Sequence, residues 1–116
     1  MKRITNEVSP LAPVILFPKG SAHALTELSN TSASAIGIDW CISPADARAL
    51  TKNNITLQGN FDPAKLFLKP NEIKKEVTKM ITDFGVQNYI VNLGHGILPT
   101  VPVENAIAFI EAVKNY

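Results

Sequence analysis

A histidine between two glycines, an aspartate ahead of a tryptophan and a lysine ahead of a glycine are the places where this sequence could do chemistry. In Gly94-His95-Gly96, paired glycines let the backbone turn sharply and approach a ligand, while the imidazole carries or releases a proton near neutral pH. The competing reading of His95 is a tight turn in which the ring satisfies a buried carbonyl. Asp39, in Asp39-Trp40-Cys41, either orients a ligand, acts as an acid or base, or caps the following turn through its carboxylate. Lys19, in Pro18-Lys19-Gly20, either meets a carboxylate or phosphate or is an ordinary loop residue. Gly59-Asn60-Phe61-Asp62-Pro63 reads first as a turn, with Asp62 capping a short helix that Pro63 starts. His23 falls on a helical stretch, and Trp40 and Cys41 read as core or rim. A single cysteine permits no internal disulfide and cannot by itself hold zinc, so no metal is expected and a reducing compartment is the default.

All of these except His23, which lies away from the strand ends, follow an apolar run. The runs are Val14-Ile15-Leu16-Phe17, Ala35-Ile36-Gly37-Ile38, Ile55-Thr56-Leu57-Gln58 and Tyr89-Ile90-Val91-Asn92-Leu93. They are apolar or nearly so instead of alternating, the pattern of parallel strands covered on both faces. Helical signals lie between them. Ser43-Pro44-Ala45-Asp46 is a capping box with Ala45, Ala47 and Leu50 expected inward. Ile73, Val77, Met80, Ile81 and Phe84 recur at spacings of three and four, and Gly85 ends that helix. A last helix is expected from about Pro102 with Ala106, Ile110 and Val113 on one face, and a short one around Ala22, Leu25 and Leu28. Ile4, Val8 and Leu11 have the spacing of a helix face at the start of the chain.

The order is therefore βαβαβαβα, preceded by the tail of a helix. Parallel strands alternating with helices fit either an open doubly wound sheet or part of a (β/α)8 barrel, whose usual size is about 250 residues. No Gly-x-Gly-x-x-Gly follows a strand, which disfavours a dinucleotide fold. In both architectures sites form at the C-terminal ends of strands, where Lys19, Asp39 and His95 fall.

With 116 residues there is room for one domain or part of one. A net charge of +1 gives no global field for nucleic acid or a membrane surface, so neither is expected as a partner. Lys74, Lys75 and Lys79 lie on a solvated helix face with no aromatic residue interleaved. No apolar segment follows Met1-Lys2-Arg3-Ile4, so no signal peptide is read.

At the same four loops the sequence resembles the uroporphyrinogen decarboxylase family. The matching segments are Val14-Ile15-Leu16-Phe17 with Lys19-Gly20, Gly37-Ile38-Asp39-Trp40, Thr56 to Pro63, and Asn92-Leu93-Gly94-His95-Gly96-Ile97, in the family's order and spacing. The resemblance covers essentially the whole chain. It implies the C-terminal half of a TIM barrel, residues 1–116 forming a partial barrel domain. It also implies a cytoplasmic homodimeric enzyme that uses no metal or organic cofactor and converts the four acetate side chains of the tetrapyrrole uroporphyrinogen III to methyls, giving coproporphyrinogen III.

By position, the resemblance makes His95 a substrate-binding residue near propionate or acetate groups, with Gly94, Gly96, Lys19 and Asp39 as further candidates. The family's carboxylate-binding arginines, its pyrrole-holding aspartate, a tyrosine and a serine all precede this portion, so no catalytic residue is assigned within these 116 residues and the chain alone is expected to be inactive. Val101 stands before Pro102 where an aspartate or similar cap is usual, which weakens the start of the last helix by about 1 kcal/mol.

Two other readings compete. A sister group resembling this barrel transfers methyl groups from corrinoid carriers with zinc held by a His-x-Cys after the first strand and a Cys near the last. Phe17-Pro18-Lys19 and Gly94-His95-Gly96 stand at those places. A half-barrel could instead serve as a non-catalytic interaction module. Half a barrel leaves two sheet edges unpaired, so self-association through them is expected.

Overall fold

The computed structural model describes residues 1–116. Four strands, β1 (Ile15–Leu16), β2 (Ala35–Gly37), β3 (Thr56–Phe61) and β4 (Tyr89–Leu93), pair in the order β1-β2-β3-β4, all parallel. Five helices accompany them: α1 (Lys2–Val8), α2 (Leu25–Leu28), α3 (Pro44–Leu50), α4 (Pro70–Phe84) and α5 (Val103–Lys114). This is half of a TIM-barrel-like fold, with β1 and β4 as open edges. No helix is long and apolar enough to cross a membrane.

Side chains alternate across each strand, so one face of the sheet meets the helices and the other faces what would be the barrel interior. Ile36, Ile38, Leu57 and Phe61 join Leu25, Ile73, Val77, Ile81 and Phe84 in one buried cluster, with Leu16, Val91 and Leu93 packed against it. α4 supplies the largest share. Its five inward side chains, Ile73, Val77, Met80, Ile81 and Phe84, are all buried, each worth roughly 1.5–3 kcal/mol of removal from water. Pro70 opens that helix, Glu72 accepts the Lys69 amide at 3.1 Å, and Gly85 closes it with φ of 74°. In α3, the Ser43 hydroxyl accepts the Asp46 amide at 3.1 Å with Pro44 in the first turn, as the capping box predicts.

Several expectations are corrected. Complete coverage on both faces holds for β2 alone. β4 alternates between half-buried and exposed residues, and Ile15 and Ile90 lie open because no strand or interior layer covers them. β3 runs to Phe61, so Gly59, Asn60 and Phe61 are ladder residues paired with Val91, Asn92 and Leu93 instead of a turn. Asp62 caps the 3-10 turn Pro63–Phe67 as expected, accepting the Ala64 amide at 2.9 Å.

In α3 only Ala47 is buried; Ala45 and Leu50 are exposed. In α5 the buried face is Asn105, Ala108 and Ala112, while Ala106 and Val113 are half-buried and Ile110 is 51% exposed. The reason is polar. Asn105 donates through Nδ2 to the Leu66 and Leu68 carbonyls at 2.7 and 3.1 Å, which fixes the rotation of α5. Pro102 stands at the helix start with no side-chain cap. Ile4 and Leu11 are 68% and 85% exposed and Val8 is also open, so the apolar face of α1 has no partner within these residues.

Candidate functional site

Because all four strands run in the same direction, their C-terminal ends share one edge, and four loops meet there. Asn60, at the end of β3, is buried and donates through Nδ2 to the Asp39 carbonyl at 2.9 Å and the Ile42 carbonyl at 2.8 Å. The Gly94 amide donates to the Phe61 carbonyl at 2.7 Å. The Asn60 side chain thus registers the loop after β2, and a backbone hydrogen bond the loop after β4, on the end of β3. Close approach is enforced by glycine: a Cβ at Gly59 would begin 2.5 Å from the Ile38 carbonyl oxygen, and Gly59 has φ of 137°.

The loop after β1 is tied in through Asp39. One carboxylate oxygen accepts the Gly20 amide at 2.6 Å and the other accepts the Cys41 amide at 3.0 Å. Asp39 is buried, so these charge-assisted bonds are shielded from water and hold the Lys19-Gly20 loop to the loop that carries Trp40. Both oxygens serve the backbone, which favours the turn-capping reading of Asp39.

Lys19, Trp40 and His95 come together on this edge. The Lys19 ammonium lies 5.7 Å from the centroid of the Trp40 ring. The His95 ring meets Trp40 edge to face, with centroids 4.6 Å apart and planes at 68°. Nδ1 of His95 is 2.6 Å from the Gly96 carbonyl, so in the neutral ring Nδ1 carries the hydrogen and donates it, leaving Nε2 with the lone pair. His95 is half-buried and Lys19 exposed, so both are within reach of a ligand. The Lys19 ammonium can donate to a carboxylate, and His95 can do so through Nε2 only as the imidazolium, in which both ring nitrogens carry hydrogen; in the neutral ring Nε2 accepts.

The two glycines beside His95 are unlike each other. Gly94 is buried, and a Cβ there would begin 2.8 Å from the Trp40 backbone nitrogen and 3.1 Å from its Cε3. Gly96 has open space around it. Gly94 is thus a packing requirement, not a turning point, while Gly96 leaves room beside the imidazole.

Trp40, expected only as core or rim, and Asn60, expected in a turn, are the residues whose part in the site the sequence does not reveal. Their roles are contacts between separate loops, and the sequence signals were their place at strand ends and within the segments that match the family. Cys41 is exposed at the rim, and its thiol pKa is raised by desolvation and by the Asp39 carboxylate. His23 is exposed on the 3-10 turn Ala22–Ala24, apart from this cluster. A concavity of about 390 Å³ lies beside the site, bounded by Trp40 to Pro44, the end of β3 and α4, and it includes neither His95 nor Lys19.

A sequence profile of the uroporphyrinogen decarboxylase (URO-D) family matches residues 1–116. The chain is 52% identical over 116 residues to uroporphyrinogen decarboxylase of Flavobacterium johnsoniae, covering 100% of this chain and 34% of that one. It is 42% identical over 102 residues to uroporphyrinogen decarboxylase of Drosophila virilis, covering 88% of this chain and 26% of that one. It therefore spans about a third of the length of the curated relatives it matches. Among solved structures, a methyltransferase from Methanosarcina mazei superimposes with a TM-score of 0.80 at 17% identity, over 99% of this chain and 35% of that one, a likeness of fold alone.

Proposed function

The chain belongs to the uroporphyrinogen decarboxylase family, and we propose that it contributes one wall of a uroporphyrinogen-binding cleft, in which His95 and Lys19 meet side-chain carboxylates of the tetrapyrrole. The observation that carries this reading is the convergence of Lys19, Trp40 and His95 from three separate strand ends onto one edge of a parallel sheet. Asp39 acts here as the tie between loops, Gly94 admits the indole, and Gly96 leaves open space beside the imidazole.

The reaction follows from the family. A pyrrole carbon is protonated, carbon dioxide leaves with the ring as electron sink, and the new methylene is protonated to a methyl as the ring carbon gives up the first proton, so that one proton is consumed for each carbon dioxide released. Developing positive charge on the ring needs a buried anion beside it. Asp39 ties two backbone amides with one bond from each oxygen, and in this reading the anion is instead the aspartate that the family resemblance places outside these residues. These 116 residues therefore bind and orient, and they do not decarboxylate alone. Working in a cytoplasmic homodimer belongs to the same proposal, and so does independence of metal and organic cofactor.

The methyltransferase alternative shares the barrel but needs a histidine and cysteines for zinc. Phe17, Pro18 and Lys19 occupy the first ligand segment, and Gly94, His95 and Gly96 the last. In the competing reading the isolated half-barrel serves as a non-catalytic interaction module. Ile15 and Ile90 on the open strand edges, with Val103, Ile107 and Ile110 on α5, form the apolar surfaces through which it self-associates. Decarboxylation of uroporphyrinogen by the chain joined to the first two-thirds of a family enzyme, against the chain alone, tests the functional reading.

A further inference from the structure

We propose that Trp40 is the positioning residue of this edge, holding the His95 ring in one orientation and one tautomer and giving the Lys19 ammonium a face to rest on. The inference rests on the reading that these loops bind carboxylates and adds the device that sets their geometry.

Trp40 is anchored from both sides. The carbonyl before it, that of Asp39, accepts from Asn60 Nδ2 at 2.9 Å, and the amide after it, that of Cys41, donates to the Asp39 carboxylate at 3.0 Å. The Gly94 backbone lies so close that no Cβ fits between it and the indole. The indole is thus a fixed wall, and the His95 ring stands against it edge to face at 4.6 Å.

His95 has little else to fix it. Its one hydrogen bond is to the carbonyl of the next residue, Gly96, at 2.6 Å, and the Gly96 side of the loop is open. A bond to an adjacent residue survives only while the ring keeps one rotamer, and the Trp40 contact holds that rotamer. Without it the imidazole turns away from the Gly96 carbonyl, and Nδ1 loses the partner that keeps its hydrogen there. Lys19 sits 5.7 Å from the centre of the same indole, so a single side chain sets where both groups stand.

The test uses the 116-residue chain with 15N-labelled histidine, at a pH where the imidazole is neutral. In the wild-type chain His95 should show the Nδ1–H tautomer. Trp40→Phe, which keeps an aromatic wall, should retain it. Trp40→Leu should lower its share about two-fold or more, toward the mixture of a free imidazole. Should Trp40→Leu fail to fold, Trp40→Met takes its place as the variant with bulk and no aromatic face. Binding of uroporphyrin, the stable oxidised octacarboxylate, supplies the second arm. Trp40→Leu should weaken it, and combining that change with Lys19→Met and His95→Gln should add little further loss. An unchanged tautomer in a folded Trp40→Leu or Trp40→Met chain overturns the proposal, as do losses that simply add. Absence of uroporphyrin binding by the wild-type chain counts against the carboxylate reading, and the tautomer still decides the role of Trp40.

Discussion

The carboxylate of Asp39 accepts the backbone amide of Gly20 at 2.6 Å, joining loops from the ends of two different strands. Its second oxygen takes the Cys41 amide at 3.0 Å. Removing a buried charged acceptor leaves two amides without partners. Asp39→Ala should therefore cost about 2–3 kcal/mol in urea unfolding, and Asp39→Asn, which keeps one acceptor oxygen, about half as much. Equal stability of all three chains would show that the tie holds nothing.

Gly94 and Gly96 separate packing from space. Gly94→Ala places a methyl 2.8 Å from the Trp40 nitrogen, so it should destabilise the chain by about 1–3 kcal/mol and disturb the indole fluorescence. Gly96→Ala meets nothing within 4 Å and should stay within about 0.5 kcal/mol of the parent. Thermal unfolding of the two variants side by side checks the contrast.

Tyr89 gives the chain an alkaline limit. Its hydroxyl donates to the Gly59 carbonyl at 2.5 Å, and burial raises its pKa well above the usual phenol value, with Arg48 opposing weakly. The folded-state pKa exceeds the unfolded one, so the neutral phenol's contribution is complete below pH of about 10 and is lost as pH rises through the folded value. Stability should fall on going above that pH, and Tyr89→Phe should flatten the fall while losing about 1 kcal/mol at neutral pH. A parallel decline in both chains would point elsewhere.

Open edges make a prediction about assembly. The isolated chain should sediment as more than a monomer and bind a hydrophobic dye, and Ile15→Lys with Ile90→Lys should shift it toward monomer. A monodisperse wild-type monomer that binds no dye contradicts the proposed surfaces.

Much of the scaffold is legible in the sequence because it is local. The spacing of Ile73, Val77, Met80, Ile81 and Phe84, the Ser43-Pro44 start and the Gly85 stop act within a turn or two of the chain, and the structure keeps them. The rotation of α5 is set by Asn105 reaching carbonyls near residue 66, and Arg48 donates to the Phe84, Gln87 and Asn88 carbonyls at 3.2, 2.9 and 3.2 Å. Such contacts leave no periodic trace. Site candidates were legible by place, since Lys19, Asp39 and His95 all follow apolar runs. What the sequence does not carry is that Trp40 stands against both Lys19 and His95, or that Asp39 spends its carboxylate on backbone amides.

The most direct measurement is decarboxylation of uroporphyrinogen by three proteins: the 116-residue chain, a hybrid joining it behind the first two-thirds of the Flavobacterium johnsoniae enzyme, and that hybrid carrying His95→Ala. No turnover is expected from the chain alone, coproporphyrinogen should form with the hybrid, and KM should rise about tenfold in His95→Ala for the loss of one charge-assisted contact. Turnover by the chain alone, a folded hybrid without activity, or a His95→Ala hybrid with unchanged kinetics would contradict the proposed function.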